Sequence, residues 1–162
     1  MTQRHTISVL VENRPGVLAK IAGLFSARGF NIDSLAVGET EVSDVSRMTI
    51  VVRGDDRVLE QVEKQLNKLP DVIKVSDFAG KEYVERDLVL IRVDANKSTR
   101  SEIIEIVDIF RAKIVDVARD SLIIEMTGDE EKILALIKLL KVYGIREMVR
   151  TGIVAMARGK KD

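Results

Sequence analysis

Residues 5–12 alternate: Ile7, Val9 and Val11 fall on one side, Ser8 and Glu12 on the other, the period of a half-buried strand. The spacing then changes. Val17, Leu18, Ile21, Leu24 and Phe25 recur at intervals of three and four, which predicts an amphipathic helix. Gly29 follows Arg28 where a left-handed C-terminal cap belongs. Residues 31–37 and 48–53 read as strands separated by the polar stretch 38–46. Gly54-Asp55-Asp56 opens a second helix with Asp55 as N-cap and Val58, Val62, Leu66 and Leu69 as its apolar stripe. Pro70 stops it, and residues 72–78 form a fourth strand.

The second half repeats this order. Residues 87–94 read as a strand, and Ile103, Ile106, Val107 and Phe110 stripe a helix. Residues 114–118 and 122–127 pair across Arg119-Asp120-Ser121. Gly128-Asp129-Glu130 opens a fourth helix with Ile133, Leu136, Ile137 and Leu140 inward, Gly144 caps it, and residues 145–157 close the unit as one strand. Gly54-Asp55-Asp56 and Gly128-Asp129-Glu130 echo each other, as do Phe25 and Phe110. The expected fold is α+β: two ferredoxin-like βαββαβ domains in tandem. They are expected over residues 1–80 and 81–162, with the boundary near Gly80-Lys81-Glu82.

Composition narrows the function. The chain has 162 residues, 46% of them hydrophobic, yet no apolar run approaches the roughly 18 residues of a membrane span. The first apolar stretch, residues 7–11, is too short for a signal peptide and runs into Glu12, so a cytoplasmic protein is expected. Lys plus Arg and Asp plus Glu both number 26, and aromatics are 4%, which argues against a nucleic-acid groove. Cysteine is absent and His5 is the only histidine, which leaves no thiolate metal site and only an N-terminal histidine for a catalytic triad. The acidic pairs Asp55/Asp56 and Glu130/Glu131 open helices, where negative charge is stabilising without any catalytic role. No phosphate-binding glycine loop appears. The chain is therefore expected to carry no catalysis, cofactor or metal of its own.

The two halves differ at their first strand-to-helix turn. The first reads Glu12-Asn13-Arg14-Pro15-Gly16-Val17-Leu18; the second, Asp94-Ala95-Asn96-Lys97-Ser98-Thr99-Arg100, lacks Pro-Gly. Pro15 fixes its own φ and biases Arg14 away from helical geometry, so the chain turns sharply. Gly16 has no Cβ, which lets a ligand approach the backbone. The helix then exposes unpaired N–H groups that favour a carboxylate. Asn13 offers both a donor and an acceptor, and Val17 and Leu18 are candidates for an apolar wall. Turns of these residue types are common, so the spacing also admits a plain strand-to-helix turn. In the second half, Arg146 and Arg150 are candidates for docking an acidic partner surface.

These segments, together with Leu24-Phe25-Ser26-Ala27-Arg28-Gly29-Phe30-Asn31-Ile32-Asp33-Ser34-Leu35, Ser46-Arg47-Met48-Thr49-Ile50 and Leu59-Glu60-Gln61-Val62-Glu63-Lys64-Gln65-Leu66-Asn67-Lys68-Leu69, closely resemble the acetolactate (acetohydroxyacid) synthase small regulatory subunits. The likeness spans nearly the whole chain, is stronger over residues 5–78, and makes the first half resemble an ACT domain. It implies a non-catalytic subunit that activates a large catalytic subunit and confers feedback inhibition by valine, or by isoleucine or leucine, in branched-chain amino-acid synthesis. Thiamine diphosphate, FAD and magnesium would belong to that partner. The resemblance further implies a homodimer through the ACT domain. Asn13, Gly16, Val17 and Leu18 of one protomer would then face Asn31 and Ile32 of the other across the effector, with the second domain supporting the dimer and contacting the catalytic subunit. The alternative is a stand-alone ACT-type sensor controlling another enzyme or a transcription factor.

Overall fold

A computed structural model describes residues 3–160. Their order is β1 (Gln3–Glu12), α1 (Val17–Ala27), β2 (Asn31–Glu39), β3 (Val45–Gly54), α2 (Asp56–Leu66), β4 (Val72–Asp77), β5 (Tyr83–Asp94), α3 (Arg100–Ile109), β6 (Lys113–Val117), β7 (Ser121–Gly128), α4 (Glu130–Leu140), β8 (Ile145–Arg150) and β9 (Val154–Ala157). No helix among them is long and apolar enough to cross a membrane.

The first sheet has the order β2-β3-β1-β4, the ferredoxin-like arrangement that the pattern predicts. Alternation along β1 sends Ile7, Val9 and Val11 to the face that meets Ile21 and Phe25 of α1 and Leu59, Val62 and Leu66 of α2, all buried. Each helix end has a local cause. Asp55 Oδ1 accepts a hydrogen bond from the Arg57 amide at 2.8 Å and starts α2. After α1, Gly29 takes φ +76° and Phe30 N–H returns to the Phe25 carbonyl at 3.0 Å, closing the helix. The second sheet has the order β6-β7-β5-β8, with β9 also paired to β5. Val89, Ile91 and Val93 meet Ile103, Val107, Ile133, Leu136 and Leu140 in a core of its own. Asp129 Oδ1 caps α4 through the Lys132 amide at 2.9 Å, the counterpart of Asp55.

The structure refines the sequence reading at three points. The units do not divide at residue 80. The first compact unit runs to Val84 and takes back the segment from Gly152 onward, while the second is Glu85–Thr151. The closing strand is broken into β8 and β9 because Gly152 is needed for close approach: a Cβ there would fall on the Leu35 carbonyl and within 2.8 Å of Ala36 N. Arg146 and Arg150 are engaged within the chain. Arg146 pairs with Asp94 and Asp120, and Arg150 with the buried Asp87 (2.8 Å) and Glu130 (3.2 Å).

Candidate functional site

The turn from β1 into α1 is shaped by its backbone. Glu12 N–H bonds to the Asp71 carbonyl at 2.8 Å and Asn13 N–H to the Asp44 carbonyl at 2.9 Å, so the turn leading into β4 and the β2–β3 loop both hold the end of β1. Gly16 then adopts φ +85°, ψ −11°, a left-handed conformation that strains any residue with a Cβ. A Cβ built on Gly16 meets nothing within 4 Å, so the glycine borders open space. Helix α1 has no side-chain N-cap and no acidic residue in its first turn. Lys20 N–H is the amide that reaches the Gly16 carbonyl, at 3.2 Å. Val17 N–H turns back to the Arg14 carbonyl at 3.5 Å, which leaves the Leu18 and Ala19 amides at the positive end of the helix, the environment that holds a carboxylate.

Asn13 is exposed, and its Nδ2 donates to Glu39 Oε1 at 3.3 Å and to the Ser43 carbonyl at 3.5 Å. That leaves Asn13 Oδ1 as an acceptor beside the Glu39 carboxylate, a pairing suited to an ammonium group. Glu39 was not expected from the sequence. It lies 26 residues away, and only pairing of β2 with β3 brings it to the turn. Leu18 is 44% exposed and faces outward. Val17, one position earlier and about 100° round the helix, is buried in the core, so it offers its backbone and not an apolar wall.

Asn31 and Ile32 stand at the start of β2, whose other edge is unpaired among the described residues. Ile32 packs its side chain against the core and so presents backbone at that edge. Asn31 Nδ2 donates to Asp33 Oδ1 at 2.9 Å, and Asp33 pairs with Arg53 at 2.6 Å. A bulge between Ile32 and Ser34 re-aims the strand there. These two residues are not brought to the turn within one chain. Asn31 pairs with Arg53, which pairs with Arg4, whereas the turn follows Glu12 at the other end of β1. Eight residues of strand separate Arg4 from Glu12, about 26 Å at about 3.3 Å each.

A separate acidic cleft of about 330 Å³ lies at the start of α2, lined by Asp56, Arg57, Leu59, Glu60, Glu63 and Asp77. Burial, then a hydrogen bond that protonated Glu63 donates to Asp77, then the charges of Asp77 and Glu60, push the Glu63 carboxyl up to about 7. His5 is buried nearby, with Nε2 2.8 Å from Asp56 Oδ1 and Nδ1 3.9 Å from Asp77 Oδ2, though neither contact is aligned as a hydrogen bond. It is a packed residue, and not the loose terminal one that its position suggests. Among the described residues no group of three or more His, Asp or Glu is arranged to hold a metal ion.

Two family models match the chain: one described as the small subunit of acetolactate synthase, over residues 86–159, and one as an AHAS small subunit-like ACT domain, over residues 7–74. The probable acetolactate synthase small subunit of Archaeoglobus fulgidus is 64% identical over 158 residues, covering 98% of this chain and 99% of that protein. The acetolactate synthase small subunit of Mycolicibacterium smegmatis is 56% identical over 160 residues, covering 99% and 94%. Among solved structures, the acetolactate synthase small subunit from Thermotoga maritima superposes with a TM-score of 0.89 at 46% identity, covering 98% of this chain and 99% of that one.

Proposed function

The chain belongs to the acetolactate synthase small-subunit family, and from that premise we propose that it activates its catalytic large subunit and makes it sensitive to feedback inhibition by valine. The observation that carries this reading is the split site. The turn around Gly16 offers the Leu18 and Ala19 amides, an Asn13–Glu39 pair and an exposed Leu18, while Asn31 and Ile32 stand at the far end of the same sheet on an unpaired edge.

A two-fold dimer joins these halves. If the β2 edges of two chains pair antiparallel about Leu35, the midpoint of β2, the partner's Asn31 comes opposite Glu39, which already accepts from Asn13. The amino acid's carboxylate then lies at the α1 amides, and its ammonium lies between Asn13 Oδ1 and Glu39. Its branched side chain rests against Leu18 and the partner's edge strand. A methylene more or less in such a pocket is worth only about 1–3 kcal/mol, so isoleucine and leucine compete with valine. Thiamine diphosphate, FAD and magnesium are assigned to the catalytic partner.

Valine acts by linkage. Its binding favours one arrangement of the dimer, and a coupling of about 1–3 kcal/mol passes to the catalytic subunit. The test is reconstitution: the catalytic large subunit is assayed for acetolactate with and without this chain, each with and without valine. The expected result is a higher rate with the chain and a lower one when valine is added. An unchanged rate with no valine response refutes the reading.

A further inference from the structure

The acidic cleft at the start of α2 has no role in the effector site, and every residue of it belongs to the first unit. Asp56, Glu60 and Glu63 stand at i, i+4 and i+7 of α2 and so share one helix face. Asp77 joins them from the end of β4. Four carboxylates thus line about 330 Å³ of space, with Arg57 the one cation and Leu59 the one apolar side chain in the lining. The positive end of the helix accounts for Asp56, but Glu60 and Glu63 lie beyond the first turn, where that effect has faded. Glu63 holds its proton up to about pH 7, first because burial disfavours its charge, then because Asp77 accepts its hydrogen, and then because Asp77 and Glu60 repel it.

A second observation, independent of the carboxylates, points to an occupant. His5 of β1 is only 7% exposed, yet neither ring nitrogen makes a hydrogen bond among the described residues. Both face carboxylates of the cleft: Nε2 lies 2.8 Å from Asp56 Oδ1, out of line, and Nδ1 lies 3.9 Å from Asp77 Oδ2. Asp77 Oδ1 is taken by the Ala79 amide at 2.8 Å, which leaves Oδ2 turned to the imidazole. In the tautomer with its proton on Nε2, Nδ1 is an acceptor. A nitrogen carrying two hydrogens, set between acceptors 3.9 Å apart, reaches both at about 2.9 Å. Since no group of three or more His, Asp or Glu among the described residues is arranged to hold a metal ion, the chemistry favours an organic cation.

We propose that this cleft is a guanidinium site that docks an arginine side chain of the catalytic large subunit. This rests on the partner named above and is independent of the valine site. A guanidinium is planar, always charged and weakly hydrated, and it sets five N–H donors against the carboxylates and the imidazole. Its apolar stem lies along Leu59. The incoming charge replaces the proton of Glu63, so docking releases it.

The experiment uses the full chain. His5 is the only histidine, so its ring gives an unambiguous nuclear magnetic resonance signal beside the cleft. N-acetylarginine amide is expected to shift that signal saturably, N-acetyllysine amide more weakly, and sodium chloride at equal ionic strength not at all. Calorimetric titration of the catalytic subunit at pH 7, in two buffers of different ionisation enthalpy, should show release of about half a proton per chain, because Glu63 is half protonated there. Glu63→Gln should bind without that release. Glu60→Gln and Asp77→Asn should weaken binding at least about tenfold, as loss of an arginine anchor does, while each chain alone binds valine as before. An unmoved His5 signal overturns the proposal, as does full-strength binding of the catalytic subunit by both carboxylate variants; a moved signal with full-strength binding shows that the cleft takes free arginine and overturns the docking. An unaltered chain that does not bind the catalytic subunit refutes the partner reading itself, and this inference with it.

Discussion

Replacing Gly16 by aspartate separates ligand binding from folding. Gly16 has φ +85°, so a Cβ incurs left-handed strain of about 1 kcal/mol, less for Asp than for most residues. There is no steric addition, since nothing lies within 4 Å of the Cβ position. The new carboxylate stands at the start of α1, which has no acidic residue in its first turn, and gains about 0.3–1 kcal/mol from the helix dipole. The two effects nearly offset, so Gly16→Asp should unfold within about 4 °C of the unaltered chain. Binding changes far more. A ligand carboxylate about 5 Å from the introduced one, at an effective dielectric constant of about 20, is repelled by about 3 kcal/mol, over a hundredfold in affinity. Calorimetric titration with valine and a thermal melt on the same preparation test both halves. Valine binding at unaltered affinity refutes the placement of the ligand carboxylate. A collapse in melting temperature refutes the claim that Gly16 borders open space.

Other expectations concern stability. Glu63 binds its proton more tightly folded (about 7) than unfolded (4.5), so ionising it opposes folding; this cost is absent below about pH 4.5, grows up to about pH 7 and is complete above. The side chain is partly exposed, so solvent screening reduces the effect to about 1 kcal/mol. Urea midpoints at pH 5.5 and pH 8 should differ less in Glu63→Gln than in the unaltered chain, and identical differences would contradict the assignment. Gly54→Ala places its methyl in the ring of Phe30, a buried side chain that packs edge-on against Phe25 at 6.2 Å, and should cost about 1–3 kcal/mol. Its echo Gly128→Ala meets only the flexible Lys132 side chain, so chemical denaturation should show a much smaller loss. Asp87→Ala leaves Arg150 with Glu130 alone and should destabilise by about 3 kcal/mol; a change below about 1 kcal/mol would show that the pair is not structural.

Local patterns carried most of the fold. The alternation of Ile7, Val9 and Val11, the stripe Val58–Val62–Leu66 and the caps Asp55, Asp129 and Gly29 each act within a few residues, and the strands and helices follow. What eluded the sequence depends on residues far apart. The break at Gly152 is set by a peptide more than a hundred residues earlier, and the boundary at Glu85 by the return of the chain's last segment to the first unit. His5 reads as a terminal residue and is buried because α2 and β4 bring Asp56 and Asp77 to it. The turn at Gly16 was visible through its absence from the second half, but Glu39 was not, since strand pairing alone delivers it to Asn13. Val17 belongs to the core although its neighbour Leu18 is exposed, a distinction set by helix phase that adjacency in sequence conceals.

The central claim is that one chain holds two unmatched halves of the sensor. Chains carrying Gly16→Asp can be mixed, after unfolding and refolding together, with chains carrying Asn31→Ala. Each variant alone should bind no valine. In a mixed dimer one site receives both substitutions and the other neither, so random pairing restores about one site in four. Calorimetric recovery of that fraction at unaltered affinity is the predicted result. If the mixture binds no more valine than the separate variants, the site lies within a single chain and the account is wrong.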